Sequence, residues 1–116
     1  MGGRGESDRF LDGVRLFNRG RFFEAHEVWE ELWRTSTGGM RMLYQGLIQA
    51  AAALHHAQRG NRAGALAVWS KAKVKLELCP ARFRGLSIAR LRIELEDYLK
   101  DAGHGTPPRL KRAPTK

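Results

Sequence analysis

Phe17-Asn-Arg-Gly-Arg-Phe-Phe-Glu-Ala-His-Glu-Val-Trp-Glu-Glu-Leu-Trp33 is the stretch whose reading decides the fold. Gly20 stops one helix, because glycine takes the left-handed conformation that a helix end needs, and a second helix follows over about residues 22–34. At about 100° per residue, Phe22, Phe23, Ala25, Val28, Trp29, Leu32 and Trp33 sweep a wide apolar arc. Glu24, Glu27 and Glu31 fall on the opposite, wet side, but His26 and Glu30 lie inside the arc. Polar groups there are costly unless something pairs with them.

Four more helices extend outward from this stretch. Phe10, Leu11, Val14 and Phe17 recur at helical spacing and predict a first helix over residues 7–18. Beyond the flexible Thr35–Gly39 break, a third runs over residues 40–59. Gly60 and Asn61 form a stop and a start, with Asn61 as N-cap of a fourth helix reaching Leu78 before Pro80. Ala65, Trp69, Ala72 and Leu76 form its inner face, with Lys71 and Lys75 outside. Ser87 caps a fifth helix ending at Lys100, on which Arg90/Glu94 and Arg92/Glu96 stand four apart and can pair. No segment alternates as a strand does.

Gly20, Ala25, Val28 and Trp29 recur as Gly60, Ala65, Val68 and Trp69, a shift of 40 residues. The echo predicts two stacked helical hairpins, packed in the tetratricopeptide manner but with too few and too long repeats for an array. The expectation is therefore an all-α, single-domain bundle of about five helices: a flexible N-terminus over 1–6, a helical domain over 7–101 and a basic disordered tail over 102–116.

At 116 residues the chain has room for one core and not two. Its one cysteine, Cys79, excludes an internal disulfide and suits a reduced, cytoplasmic setting. The opening residues are polar and no apolar run is long enough for a bilayer, so neither a secretory leader nor a membrane span is expected. The net charge of +9 raises nucleic acid as a partner, through Arg62, Lys71, Lys75, Arg82, Arg84 and the tail. The acidic second helix weighs against that reading.

On the third helix, Gln45, Gln49, Ala52 and His56 form one line, and Gly46, Ala50, Ala53 and Ala57 a second that lets a neighbour approach closely. The inward polar residues of the two helices predict a cluster of His26, Glu30, Gln49 and His56, with Gln45 and Glu27 at its margin. Three readings remain open. The cluster is a hydrogen-bond network that fixes register, a pocket for a small ligand or a protein segment, or a metal site of a hydrolase held by His26, Glu30 and His56 with Glu27 or Glu30 as base. Trp29, Trp33 and Trp69 read as core anchors, His55 as a core-edge residue and Cys79 as a small apolar one.

The opening stretch, with Tyr44-Gln-Gly-Leu-Ile-Gln49 and His56-Ala-Gln-Arg-Gly-Asn-Arg-Ala-Gly-Ala65, resembles the domain-of-unknown-function 309 family over roughly residues 10–78. The resemblance implies a small all-helical protein of bacterial type. It singles out Asn18, Gly20, His26, Glu27, Trp29, Glu30 and Trp33, then Gln45, Gly46, Gln49 and His56, then Gly60, Asn61, Gly64 and Ala65. It implies no activity and no cofactor, and the basic tail lies outside it.

Overall fold

In the computed structural model, described over residues 5–101 and 104–113, five helices carry nearly all the structure. They are α1 (Glu6–Asn18), α2 (Phe22–Arg34), α3 (Gly38–Gln58), α4 (Arg62–Glu77) and α5 (Ile88–Lys100). Each of the first four packs on the next in sequence, and α5 packs on α4. The α1–α2 and α3–α4 hairpins thus stack through α2 and α3, as the sequence echo predicts.

The core begins where the apolar stripes meet. Phe10 and Phe17 of α1, Phe22, Ala25 and Trp29 of α2, and Tyr44, Leu47 and Leu54 of α3 are all buried. Burying 150–250 Å² per aromatic ring contributes roughly 4–6 kcal/mol each on area grounds. The aromatic cluster therefore outweighs any single polar contact in choosing the fold. Trp29 lies across α1 at Gly13, where an added Cβ would stand 2.1 Å from its Nε1. The indole donates to the Phe10 carbonyl at 3.2 Å. The small-residue line of α3 receives α4: a Cβ on Gly46 would meet Leu76 at 2.8 Å.

The two hairpin joints share one geometry. Gly20 and Gly60 have φ of +80° and +78°. The next residues, Arg21 and Asn61, have φ −92° with ψ 69° and 77°. Arg21 N–H donates to the Leu16 carbonyl and Asn61 N–H to that of His56, both at 2.9 Å. Asn61 caps α4 as expected, its Oδ1 accepting from Gly64 N–H at 3.0 Å. Arg21 offers α2 no such cap.

Two regions depart from the sequence expectation. A small antiparallel hairpin, β1 (Arg82–Phe83) and β2 (Leu86–Ser87), joins α4 to α5. It lays Phe83 edge-on to Phe10 at 5.1 Å. Arg84 reaches Glu6 at 3.2 Å and Ser7 at 2.8 Å. Tyr44 donates to the same Glu6 carboxylate at 2.6 Å. Burial, followed by that carboxylate, pushes the Tyr44 hydroxyl up to about 12.

The second departure is the tail. Residues 104–113 run as a strap along the bundle. Ser87 N–H donates to Lys111 O and Ala113 N–H to Gly85 O, both at 2.8 Å, which extends the hairpin edge. Leu110 is buried. The Asn18 amide clamps its backbone from both sides, accepting from N–H at 2.8 Å and donating to the carbonyl at 3.0 Å. Residues 1–4, 102–103 and 114–116, which share in the expected flexible ends, lie outside the described residues. Among the described residues, no helix is long and apolar enough to cross a membrane.

Candidate functional site

The connector between α2 and α3 is three residues long, Thr35 to Thr37, so the two helices run antiparallel. Two crossings fix their register. At the connector end, the Arg41 guanidinium lies 3.9 Å over the Trp33 ring and donates to the Trp33 and Ser36 carbonyls. At the far end, Phe23 meets His55 with ring centroids 5.3 Å apart. His26, Glu30, Gln45 and Gln49 lie between these crossings in sequence, on the two facing helices.

Three polar atoms along this seam are buried without a hydrogen-bond partner: His26 Nδ1, Trp33 Nε1 and Gln49 Oε1. Each such group costs about 1–3 kcal/mol relative to a paired one. His26, Trp33 and Gln49 are themselves only partly buried. The His26 ring stacks on Phe23, 5.8 Å between centroids with planes 16° apart. Phe23 is half exposed and lines the outer lip of the seam. Burial holds His55 below its ordinary value, helped by Arg59, His56 and His26.

The other predicted residues are placed differently. Glu30 turns partly outward to Arg34 at 3.7 Å, with 65% and 38% of the Arg34 and Glu30 side chains exposed. Such a pair contributes little. Glu27 is exposed and Gln45 partly buried. His56 serves the α3–α4 joint: its Nδ1 lies 3.2 Å from Asn61 Nδ2. Because Asn61 Oδ1 already accepts from Gly64 N–H, its amide nitrogen must donate to His56, whose Nδ1 therefore carries no proton. Among the described residues, no three His, Cys, Asp or Glu side chains are grouped so as to hold a metal ion. His26, Glu30 and His56 are thus not gathered as a ligand set among the described residues.

Phe23, Trp33, Arg41 and His55 belong to the seam and were not among the expected site residues. Phe23, His26, Glu30 and Trp33 follow one helical stripe at three- and four-residue steps, a signal masked by reading both aromatics as core. The thiol of Cys79 is pushed up by burial and lies 3.2 Å from the Lys75 carbonyl, in keeping with a packing role.

Fold and seam together define a small helical-hairpin domain with three unpartnered buried polar atoms between α2 and α3. The family model for the domain of unknown function DUF309 matches residues 10–68. A conserved hypothetical protein of Thermus thermophilus, solved by crystallography, superposes with a TM-score of 0.69 at 35% identity, covering 83% of this chain and 97% of that one. An uncharacterized protein of Aquifex aeolicus (strain VF5) is 35% identical over 107 residues, 91% of this chain and 32% of its own length. The uncharacterized protein YpuF of Bacillus subtilis (strain 168) is 47% identical over 58 residues, 48% of this chain and 33% of its own. The chain belongs to the DUF309 family, and spans about a third of the length of these two curated relatives.

Proposed function

We propose that the protein is a binding module, and that its α2–α3 seam takes up an extended peptide segment. The observation that carries this reading is the set of three buried polar atoms without partners on the two helices that face each other. Native proteins leave few such groups, and each calls for an explanation. The indole N–H is a donor and the amide oxygen an acceptor, and the imidazole Nδ1 is a third unpartnered atom on the same two helices. A peptide group brings one carbonyl and one N–H, which complement that pair. Exposed Phe23 offers an aromatic contact, and Glu27, exposed and outside any ion pair among the described residues, favours a peptide with a basic side chain.

Of the residues singled out by the family resemblance, Gly20, Gly60, Asn61, Gly64 and His56 have evident duties in the joints, and Trp29 in the core. His26, Gln49 and Trp33 do not have their polar groups so employed. Stacked hairpins of tetratricopeptide type present grooves of this kind. A cytoplasmic, bacterial setting suits the single cysteine and the relatives.

Panning a library of random seven-residue peptides against the whole chain tests the reading. The expected result is a set of peptides that bind the native protein and lose at least tenfold in affinity with His26→Ala/Gln49→Ala. Their addition shifts the Trp33 indole N–H resonance. No enrichment, or equal affinity for the double variant, overturns it.

A further inference from the structure

The two hairpin joints lie against each other at one end of the bundle, since Gln58 Nε2 donates to the Gly20 carbonyl at 2.8 Å. The strap passes the same end. Thr106, Pro107, Pro108 and Arg109 close a cavity of about 240 Å³ with Asn18, Arg19 and Gly20. Arg19 precedes the first joint glycine, Arg59 precedes the second, Arg62 opens α4, and Arg109 comes from the strap. All four are exposed. None has a carboxylate within 4 Å among the described residues, whereas Arg15, Arg34, Arg84 and Arg90 do. Only Arg21, beside them, is neutralised, by Glu24 at 3.3 Å.

Gathering cations with no counter-charge is unfavourable unless an anion joins them. The cavity is smaller than the roughly 300–1,000 Å³ of small-molecule sites, so it suits a group of phosphate size. The four guanidiniums are spread over two joints and the strap, which suits several phosphates in succession. Among the described residues no aromatic ring lines the cavity. Without a stacking platform, bases have nothing to lie on.

We infer that this end of the bundle binds the phosphate backbone of duplex nucleic acid, without reading its sequence. The site is independent of the α2–α3 seam. It shares only Arg62 and Arg109 with the basic set that the sequence suggests; of the others, Arg84 is tied to Glu6 and Lys111 to Glu94, both at 3.2 Å.

The test is fluorescence anisotropy with a labelled 20-base-pair DNA duplex and the full chain. Four phosphate contacts predict a slope of log affinity on log salt of about −3.6, or a loss of about 100-fold between 50 and 200 mM salt. Arg19→Ala/Arg59→Ala/Arg62→Ala/Arg109→Ala should lose at least tenfold at 50 mM salt and flatten the slope. The charge-matched variant Lys71→Ala/Lys75→Ala/Arg82→Ala/Arg112→Ala should lose less than threefold, and thermal unfolding checks that both variants fold. The inference is overturned if the native protein does not bind at 50 mM salt, or if both variants lose affinity equally. It is also overturned if a doubly phosphorylated peptide binds as tightly as the duplex.

Discussion

The α1–α2 and α3–α4 joints match bond for bond, yet the residues around them have solved the same problem in two ways. At the second joint, Asn61 caps α4 and needs Gly64: a Cβ there would stand 2.4 Å from Asn61 Nδ2. At the first joint the corresponding residues are Arg21 and Glu24, joined by an ion pair of 3.3 Å, and α2 has no side-chain cap. The backbone turn thus belongs to the glycine, while the choice of cap is coupled to the residue three positions on. The tryptophans that follow differ as well. Trp29 donates to a backbone carbonyl over a glycine. Trp69 donates at 2.6 Å to the Glu96 carboxylate of α5, and the residue forty positions beyond Gly13 is Ala53.

The strongest way to break the comparison is at the tryptophans. Gly13→Ala drives a methyl into a fully buried indole and should cost at least about 3 kcal/mol, the upper end of ordinary overpacking. Ala53→Gly at the matching place should cost only about 1 kcal/mol, the helix propensity difference. Urea unfolding of both variants measures the contrast.

A smaller effect sharpens the account of the caps. Asn61→Ala should cost about 1 kcal/mol, and Gly64→Ala a similar net amount, because the clash with the capping amide and the lost cap together outweigh the roughly 1 kcal/mol of helix propensity that alanine gains. The double variant should lie near the native stability, since alanine then gains about 1 kcal/mol of helix propensity with nothing left to strike. A double-mutant cycle with no coupling would contradict the shared role of the pair.

The third contrast is in pH. The indole of Trp69 holds the Glu96 carboxyl below its ordinary 4.5, against burial and with help from Lys73 and Lys100. A carboxylate depressed on folding contributes stability that is complete above its unfolded pKa and lost as pH falls through the lower folded one. Trp69→Phe should therefore flatten the acid limb of the stability profile below about pH 4.5. Trp29→Phe should leave the shape of that limb alone, because its acceptor is a carbonyl that does not titrate.

Much of this was legible because it is local. Gly20, Gly60 and the caps Asn61 and Ser87 announce themselves within four residues, and the inner face of α4 follows from its period. The strap was not legible: its anchor is one leucine among prolines, glycines and cations, clamped by Asn18 from 92 positions away. Strands of two residues are too short to show alternation. In the seam, the helical wheel carries the angle of His26 and Gln49 but no information on height. His56 shares their angle, yet it sits in the last turn of α3, where the next loop provides Asn61 as its partner. Trp33 and Phe23 escaped notice because an aromatic residue on an apolar arc has the composition of a core.

The joints satisfy the polar groups they bury, and the α2–α3 seam does not. The unfolding free energy of Gln49→Met tests that contrast most directly. The side chain keeps its length and carries a thioether and a methyl in place of the amide. An orphaned oxygen predicts stability unchanged or raised by up to about 1 kcal/mol, whereas a loss of about 1–3 kcal/mol would show that the amide is already satisfied in the resting protein and would contradict the account.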